Sequence, residues 1–139
     1  MKPKKVSYGE SLIRLRAENL AVLMTSKSTD KKSDLEELFM FQMKAVRFPM
    51  PQRQLKFCPG RQFEWDFAWP SIKFWVEVDG GEWMEKGAHN TGKAIRRDRE
   101  KDAEAFLMGW KGIRFCGSQV KDGTAIKILE KIFDRGLFK

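Results

Sequence analysis

The stretch FEWDFAWPSIKFWVEVDGG, residues 63–81, constrains the fold more than any other part of the chain. Its first half alternates strictly, with Phe63, Trp65, Phe67 and Trp69 directed one way and Glu64, Asp66 and Ala68 the other, a period of two that only a strand satisfies. Pro70-Ser71 marks a turn. The second half sends Ile72, Phe74, Val76 and Val78 to one face and Lys73, Trp75, Glu77 and Asp79 to the opposite one, and Gly80-Gly81 ends it. A hairpin closed through Pro70-Ser71 sets Asp66 opposite Trp75 and diagonal to Glu77, so Asp66, Glu77 and Asp79 are expected on one face.

Three carboxylates converging there repel one another unless a cation lies between them. Magnesium answers this best, because it takes oxygen ligands, keeps several of its waters and needs only one or two protein carboxylates. The competing reading is a solvated hairpin face whose acids pair with nearby Lys and Arg. Trp75 on the same face as the acids, and the Gly-rich and basic segments at the strand ends, weigh against it.

The remaining elements follow from period and punctuation. Residues 7–24 read as a helix carrying Leu12, Ile13, Leu20 and Leu23, and residues 25–34, TSKSTDKKSD, as an exposed linker. Ser33 and Glu36 have capping-box spacing and open a helix to Ala45 with the stripe Leu35, Leu38, Phe39, Met43 and Val46, stopped by Pro49 and Pro51. Leu55 to Cys58 reads as a short strand and Pro59-Gly60-Arg61 as a turn. Residues 80–92, with four glycines and no period, read as a loop. Lys93 to Met108 forms a helix closed by Gly109, residues 112–116 (GIRFC) a fourth strand, and Thr124 to Asp134 a last helix.

Charge divides unevenly along the chain, whose formal net charge is +8. Residues 1–60 carry a net +6, residues 61–90 a net −3 and residues 91–139 a net +5. An acidic island in the most hydrophobic stretch of a basic chain suits an enzyme that draws in a polyanion and holds a metal beside it. Without an apolar run near the roughly 18 residues of a membrane span, and without a hydrophobic stretch after Met1-Lys2-Pro3-Lys4-Lys5, the expectation is a cytoplasmic protein with no membrane partner. Cys58 and Cys116 show neither disulfide-framework nor zinc-ligand spacing.

Further candidates surround the hairpin. On the helix from Lys93, the stripe Ala94, Asp98, Lys101, Ala105, Met108 places an acid and a lysine where inward-facing residues belong, so Lys101 is a candidate to stabilise charge on a cleaved phosphate, with Asp98 holding it. An Asp98/Lys101 pair on a solvated helix face is the alternative. Glu36 reads either as a capping residue or as a further metal-shell carboxylate. His89, the only histidine, stands in the glycine-rich loop, where it is placed to contact a phosphate or move a proton. Arg96, Arg97 and Arg99, with Lys93 and Arg53, are candidate DNA contacts. Trp83, also in the loop, is a candidate for base stacking, and the other four tryptophans read as core or near-core.

Taken in order, the acidic hairpin, the loop His89-Asn90-Thr91-Gly92, the helix from Asp98 to Lys101, Gly109-Trp110 and Ile113-Arg114-Phe115 resemble the PD-(D/E)XK nuclease superfamily. The likeness is closer to the branch related to very-short-patch repair endonucleases and small phage-encoded nucleases, and it spans roughly residues 33–133. It implies an α/β restriction-endonuclease-like core, a mixed sheet of about four strands flanked by helices. Residues 33–139 would form the nuclease domain, preceded by an extra N-terminal helix and basic linker in residues 1–32.

The resemblance also implies a DNA endonuclease using Mg2+, with Mn2+ able to substitute, that acts on branched, nicked or mismatched DNA. Asp66 and Glu77 would hold the ion with the Val78 carbonyl, supported by Asp79 and Glu36. A two-fold homodimer would suit paired cuts in branched DNA. One departure stands out. The superfamily's lysine falls two residues after the position of Glu77, where this chain has Asp79, so the lysine role passes to Lys101. A non-catalytic DNA-binding protein on the same fold is the alternative.

Overall fold

The computed structural model describes residues 32–80 and 92–136. The predicted helix over 7–24, most of the linker before Lys32, and the loop residues 81–91, which include Trp83 and His89, lie outside them. In chain order the elements are α1 (Lys32–Ala45), β1 (Gln52–Lys56), β2 (Glu64–Trp69), a 3-10 turn (Pro70–Ile72), β3 (Phe74–Asp79), α2 (Gly92–Leu107), β4 (Lys111–Cys116), α3 (Gly117–Lys121) and α4 (Thr124–Asp134). The chain is thus α/β, with one mixed four-stranded sheet. Among the described residues no helix is long and apolar enough to cross a membrane.

These elements gather into two compact units, one from residues 32–50 and 117–136 and one from residues 51–116. The first is helical. The predicted stripe of α1 is buried, with Leu35, Leu38, Phe39, Met43 and Val46 all in the core beside Val120, Ala125, Ile126 and Leu129. Gln42 is buried among them and its side-chain amide donates to the Val120 carbonyl at 2.8 Å, tying α1 to α3. Ser33 lies inside the first turn of α1, not at its boundary as the capping-box spacing predicts. At the other end the chain leaves the helix before either proline. Arg47 takes a left-handed conformation, Phe48 N–H donates to the Met43 carbonyl and Arg47 N–H to that of Lys44, which satisfies two carbonyls that a helix end leaves without partners.

The second unit contains the sheet, in the order β1-β2-β3-β4, with β1, β2 and β3 antiparallel and β4 parallel to β3. The first strand starts at Gln52, three residues before the predicted Leu55. The β2–β3 register also differs from the prediction. Ala68 pairs with Trp75 and Phe67 with Val76, because the connection takes a full 3-10 turn and Lys73 in a left-handed conformation where two turn residues were expected. This shifts the pairing by two residues. A two-residue slip alone returns every side chain to the same face; the paired residues end at Phe67 and Val76, next in sequence to Asp66 and Glu77.

The strict alternation predicted for β2 fails at its centre. Trp65 and Phe63 pack in one cluster with Ala68, Trp75 and Ala105, joined by Phe57, Cys58 and the partly buried Leu55, Met108 and Trp110. Phe67 and Trp69 are outside that cluster. The break coincides with two irregularities: Gln54, across from Asp66 on β1, has a φ of 51°, and the Asp66 carboxylate takes a backbone N–H of β3 that would otherwise belong to the ladder.

Helix α2 lies on the Trp65/Trp75 face through Ala105. Gly109 ends it as predicted, with a φ of 82° that a residue with a Cβ adopts only under strain, while Trp110 N–H donates to the Ala105 carbonyl. Lys73 adds a bond from its ammonium to the Met108 carbonyl. The short helix α3 between β4 and the last helix has no counterpart in the predicted order. In α4 the buried residues are Ala125, Ile126 and Leu129; of the apolar run Ile128, Leu129, Ile132 and Phe133 in the sequence, Leu129 is buried and the other three are half-buried.

Candidate functional site

A row of aromatic rings runs under α2 and forms the floor of the site. Phe57 stacks on Trp65 at 4.5 Å, Trp65 on Trp75 at 4.0 Å with the planes only 2° apart, and Phe63 lies 6.4 Å from Phe57. The row depends on a missing side chain. Gly112 pairs with Trp75 across β3 and β4, and a Cβ there would come within 1.9 Å of the indole. Glycine therefore leaves a bed in which Trp75 lies flat against the sheet.

Over these rings stand the cations. The Lys101 ammonium lies 4.2 Å from the Trp65 ring centre, Arg114 lies 5.2 Å from that of Trp75, and Arg61 and Arg97 share Phe63 at 4.2 and 4.9 Å. Arg97 and Lys101 are one helical turn apart, so α2 directs both to the same side. Each ring offers its negative face to the cation above it and holds the long side chain in place.

The buried carboxylates complete the arrangement. Asp66 and Glu77 are 5% and 6% exposed, a depth at which charged groups stand only with partners. Asp66 accepts the Val78 N–H at 3.0 Å. Glu77 is bracketed by cations, Lys101 on one oxygen and Arg114 on the other at 3.2 Å. Arg114 reaches Glu77 because β4 lies parallel in register, pairing the two residues, and its other nitrogen is held by Asp102 of α2.

Burial pushes the Glu77 carboxyl above its ordinary value; Lys101 pulls it down, the Asp66 charge raises it further and Arg114 lowers it, and the rise prevails. The Val78 N–H that holds Asp66 belongs to the residue next to Glu77, which puts the Asp66 carboxylate beside that stretch of β3. Arg114 is pulled the opposite way by burial, yet Glu77 and Asp102 keep it above its usual value, and so fully charged.

Of the predicted site residues, the structure therefore brings Lys101 onto Glu77, and Asp66 onto the backbone of Val78, the residue after Glu77. Asp98 does not hold the lysine. It is half-buried on α2, while Lys101 pairs with Glu77. Asp79 is exposed at the end of β3, and its charge is felt by Arg114. Glu36 is buried in α1, in the first unit. Among the described residues no group of three His, Cys, Asp or Glu side chains is arranged to hold a metal ion, and the Glu77 carboxylate is engaged by two cations. Lys93, Arg96, Arg97, Arg99 and Arg53 are all exposed, as DNA contacts require, though Arg97 also leans on Phe63 and Arg53 on Phe67. His89 falls outside the described residues.

Sequence reasoning missed Arg114, Gly112 and Arg61. The first had a signal, a lone charge in the middle of the apolar strand GIRFC, which a buried strand tolerates only beside an opposite charge. The other two depend on strand pairing and on a ring that the chain contributes from elsewhere.

The donor set admits a hard divalent cation. Asp66 and Glu77 supply carboxylate oxygens from adjacent strands, and a few protein oxygens satisfy magnesium, which keeps most of its waters. Lys101 and Arg114 would have to share Glu77 with the ion. Compared with known proteins, the chain matches no family model, no curated protein and no solved structure.

Proposed function

We propose that the chain is a divalent-metal-dependent endodeoxyribonuclease of the PD-(D/E)XK kind, built on a restriction-endonuclease-like core and hydrolysing DNA phosphodiesters. The observation that supports it most is the buried Asp66/Glu77 pair, presented by adjacent strands with a lysine from α2 on Glu77. The pattern joins two acids suited to a metal with a cation suited to a phosphate, in one place. Asp66 and Glu77 would hold Mg2+ with the Val78 carbonyl, and Mn2+ would substitute. When bound, the ion polarises the phosphodiester and lowers the pKa of a coordinated water.

The protein's own groups do the rest. The bond from Val78 fixes the Asp66 carboxylate before any ligand arrives. Lys101, its side chain mostly covered and resting on Trp65, holds its ammonium where it can neutralise charge developing on the scissile phosphate. Arg114 and Asp102 fix Glu77 from the other side. The basic exposed side of α2 draws in the polyanion.

The test is cleavage of supercoiled, linear and four-way-junction DNA by wild type, Asp66→Asn and Asp66→Ala, with and without magnesium. Loss of at least about a thousandfold in both variants is expected, since removing groups at a charge-stabilising centre commonly costs that much. Cleavage that persists in both variants would remove the site assignment.

One observation favours a second reading, a DNA-binding protein on this fold without turnover. Both Glu77 oxygens are already engaged by cations, an arrangement that is electrically complete without metal. Salt-sensitive DNA binding with no cleavage in magnesium or manganese would decide for it.

A further inference from the structure

At the Phe63 end of the aromatic row, two arginines meet one carboxylate and a third shares the ring with one of them. Glu100 accepts from Arg61 at 2.9 Å and from Arg96 at 3.1 Å, while Arg61 and Arg97 both lie over Phe63. The ring itself is buried, so it is a fixed bed, and the guanidiniums around it are accessible: Arg61, over the ring, is 44% exposed, Arg97 beside it is exposed, and Arg96, on Glu100, is 83% exposed. Exposed ion pairs of this kind add little to folding stability. Among the described residues Glu100 is shared by two guanidiniums, and a third, that of Arg97, is crowded onto the ring beside Arg61.

We propose that Arg61, Arg96 and Arg97 form a binding site for a phosphodiester group of a DNA strand, and that Glu100 occupies this site in the free protein as an internal stand-in for the phosphate. The inference rests on the DNA-binding part of the function proposed above and adds Arg61, which reaches the site from the turn before β2, and Glu100, which opposes binding. A phosphate presents more acceptor oxygens than a carboxylate and takes guanidinium donors in pairs, so it can displace Glu100 from Arg61 and Arg96 while easing the repulsion between Arg61 and Arg97. The Phe63 ring keeps two of the three guanidiniums in place throughout, so little side-chain freedom is lost on binding. Glu100 in turn tempers affinity for any polyanion, because each binding event must first release it.

A structural staple and a phosphate stand-in predict opposite signs when Glu100 is neutralised. The experiment titrates a fluorescein-labelled 20-base-pair duplex with the full chain in EDTA, by anisotropy, at several salt concentrations. Arg61→Ala and Arg96→Ala are each expected to weaken binding about fivefold and to flatten the dependence of log affinity on log salt by about 0.9, the loss of one phosphate contact. Arg61→Lys should keep most of that slope. Glu100→Gln should tighten binding about fivefold by freeing two guanidiniums. Wild-type binding that neither arginine variant alters overturns the inference and leaves the proposed function standing. Unchanged or weaker binding by Glu100→Gln overturns the stand-in role. No binding by wild type at low salt overturns both.

Discussion

Two glutamates in the sheet unit, Glu77 and Glu100, sit in the same pattern under opposite conditions. Each is bracketed by two cations, and at each place a cation leans on an aromatic ring: Lys101 on Trp65 and Arg114 on Trp75 around Glu77, Arg61 on Phe63 beside Glu100. Their carboxyls nonetheless move apart. The Glu100 carboxyl is held below its ordinary value, chiefly by hydrogen bonds from Arg61 and then Arg96, whereas that of Glu77 is raised because burial outweighs its two cations. Pairing is the same and depth differs, so depth decides which way a bracketed acid shifts. A buried acid whose burial works against its charge is poised to respond to an added positive charge. The exposed one is an exchangeable counter-ion.

The sharpest way to break this comparison is to truncate each acid. Glu77→Ala leaves Lys101 and Arg114 partly buried without their anion and should cost about 3 kcal/mol in urea unfolding, as removing one partner of a buried pair does. Glu100→Ala should leave the midpoint where it is, because its partners turn to water. Equal losses at both sites would mean that depth has no such weight.

Next in size is the bed under the buried site. Gly112→Ala drives a methyl into the Trp75 indole and should cost about 2 kcal/mol, with a change in tryptophan fluorescence as Trp75 lifts and Arg114 loses its seat. Gly60, whose added Cβ would meet nothing within 4 Å, serves as the contrast. Gly60→Ala should cost only the strain of its positive φ, about 1 kcal/mol, with the fluorescence unaltered.

The smallest expected effect is in pH, and it carries opposite signs at the two acids. A raised carboxyl binds its proton more readily in the folded state, so the stability of wild type relative to Glu77→Gln should grow as pH falls from above the raised value toward the ordinary one. A lowered carboxyl does the reverse. Its contribution is present above the ordinary value and is lost as pH falls through the lowered one, so wild type should lose ground to Glu100→Gln on acidification. Urea midpoints of the three proteins between pH 7 and pH 3 read both, and parallel curves would remove the distinction.

What the sequence disclosed follows from which forces are local. The α1 stripe, the Gly109 stop and the two acidic strands are written in period and punctuation, so Leu35 to Val46 and the presence of Asp66 and Glu77 on adjacent strands could be read directly. The hairpin register could not, because a 3-10 turn and a left-handed Lys73 look the same in sequence as a two-residue turn. Nor could the loss of alternation at Trp65, since nothing in FEWDFAW announces that Asp66 will bond a neighbouring backbone. Gly112 and Arg114 acquire meaning only when β4 is laid parallel beside β3, a pairing that spans more than thirty residues of chain.

The bond from Val78 to Asp66 makes one acidic side chain part of the sheet's own scaffolding. Its orientation is settled at the moment the strands meet, so a ligand arriving later finds that oxygen already aimed and does not have to freeze a rotor to use it. Asparagine at this position would preserve the rung and erase the charge, whereas alanine would erase both. The difference between those two proteins therefore measures how much of the site is architecture and how much is electrostatics.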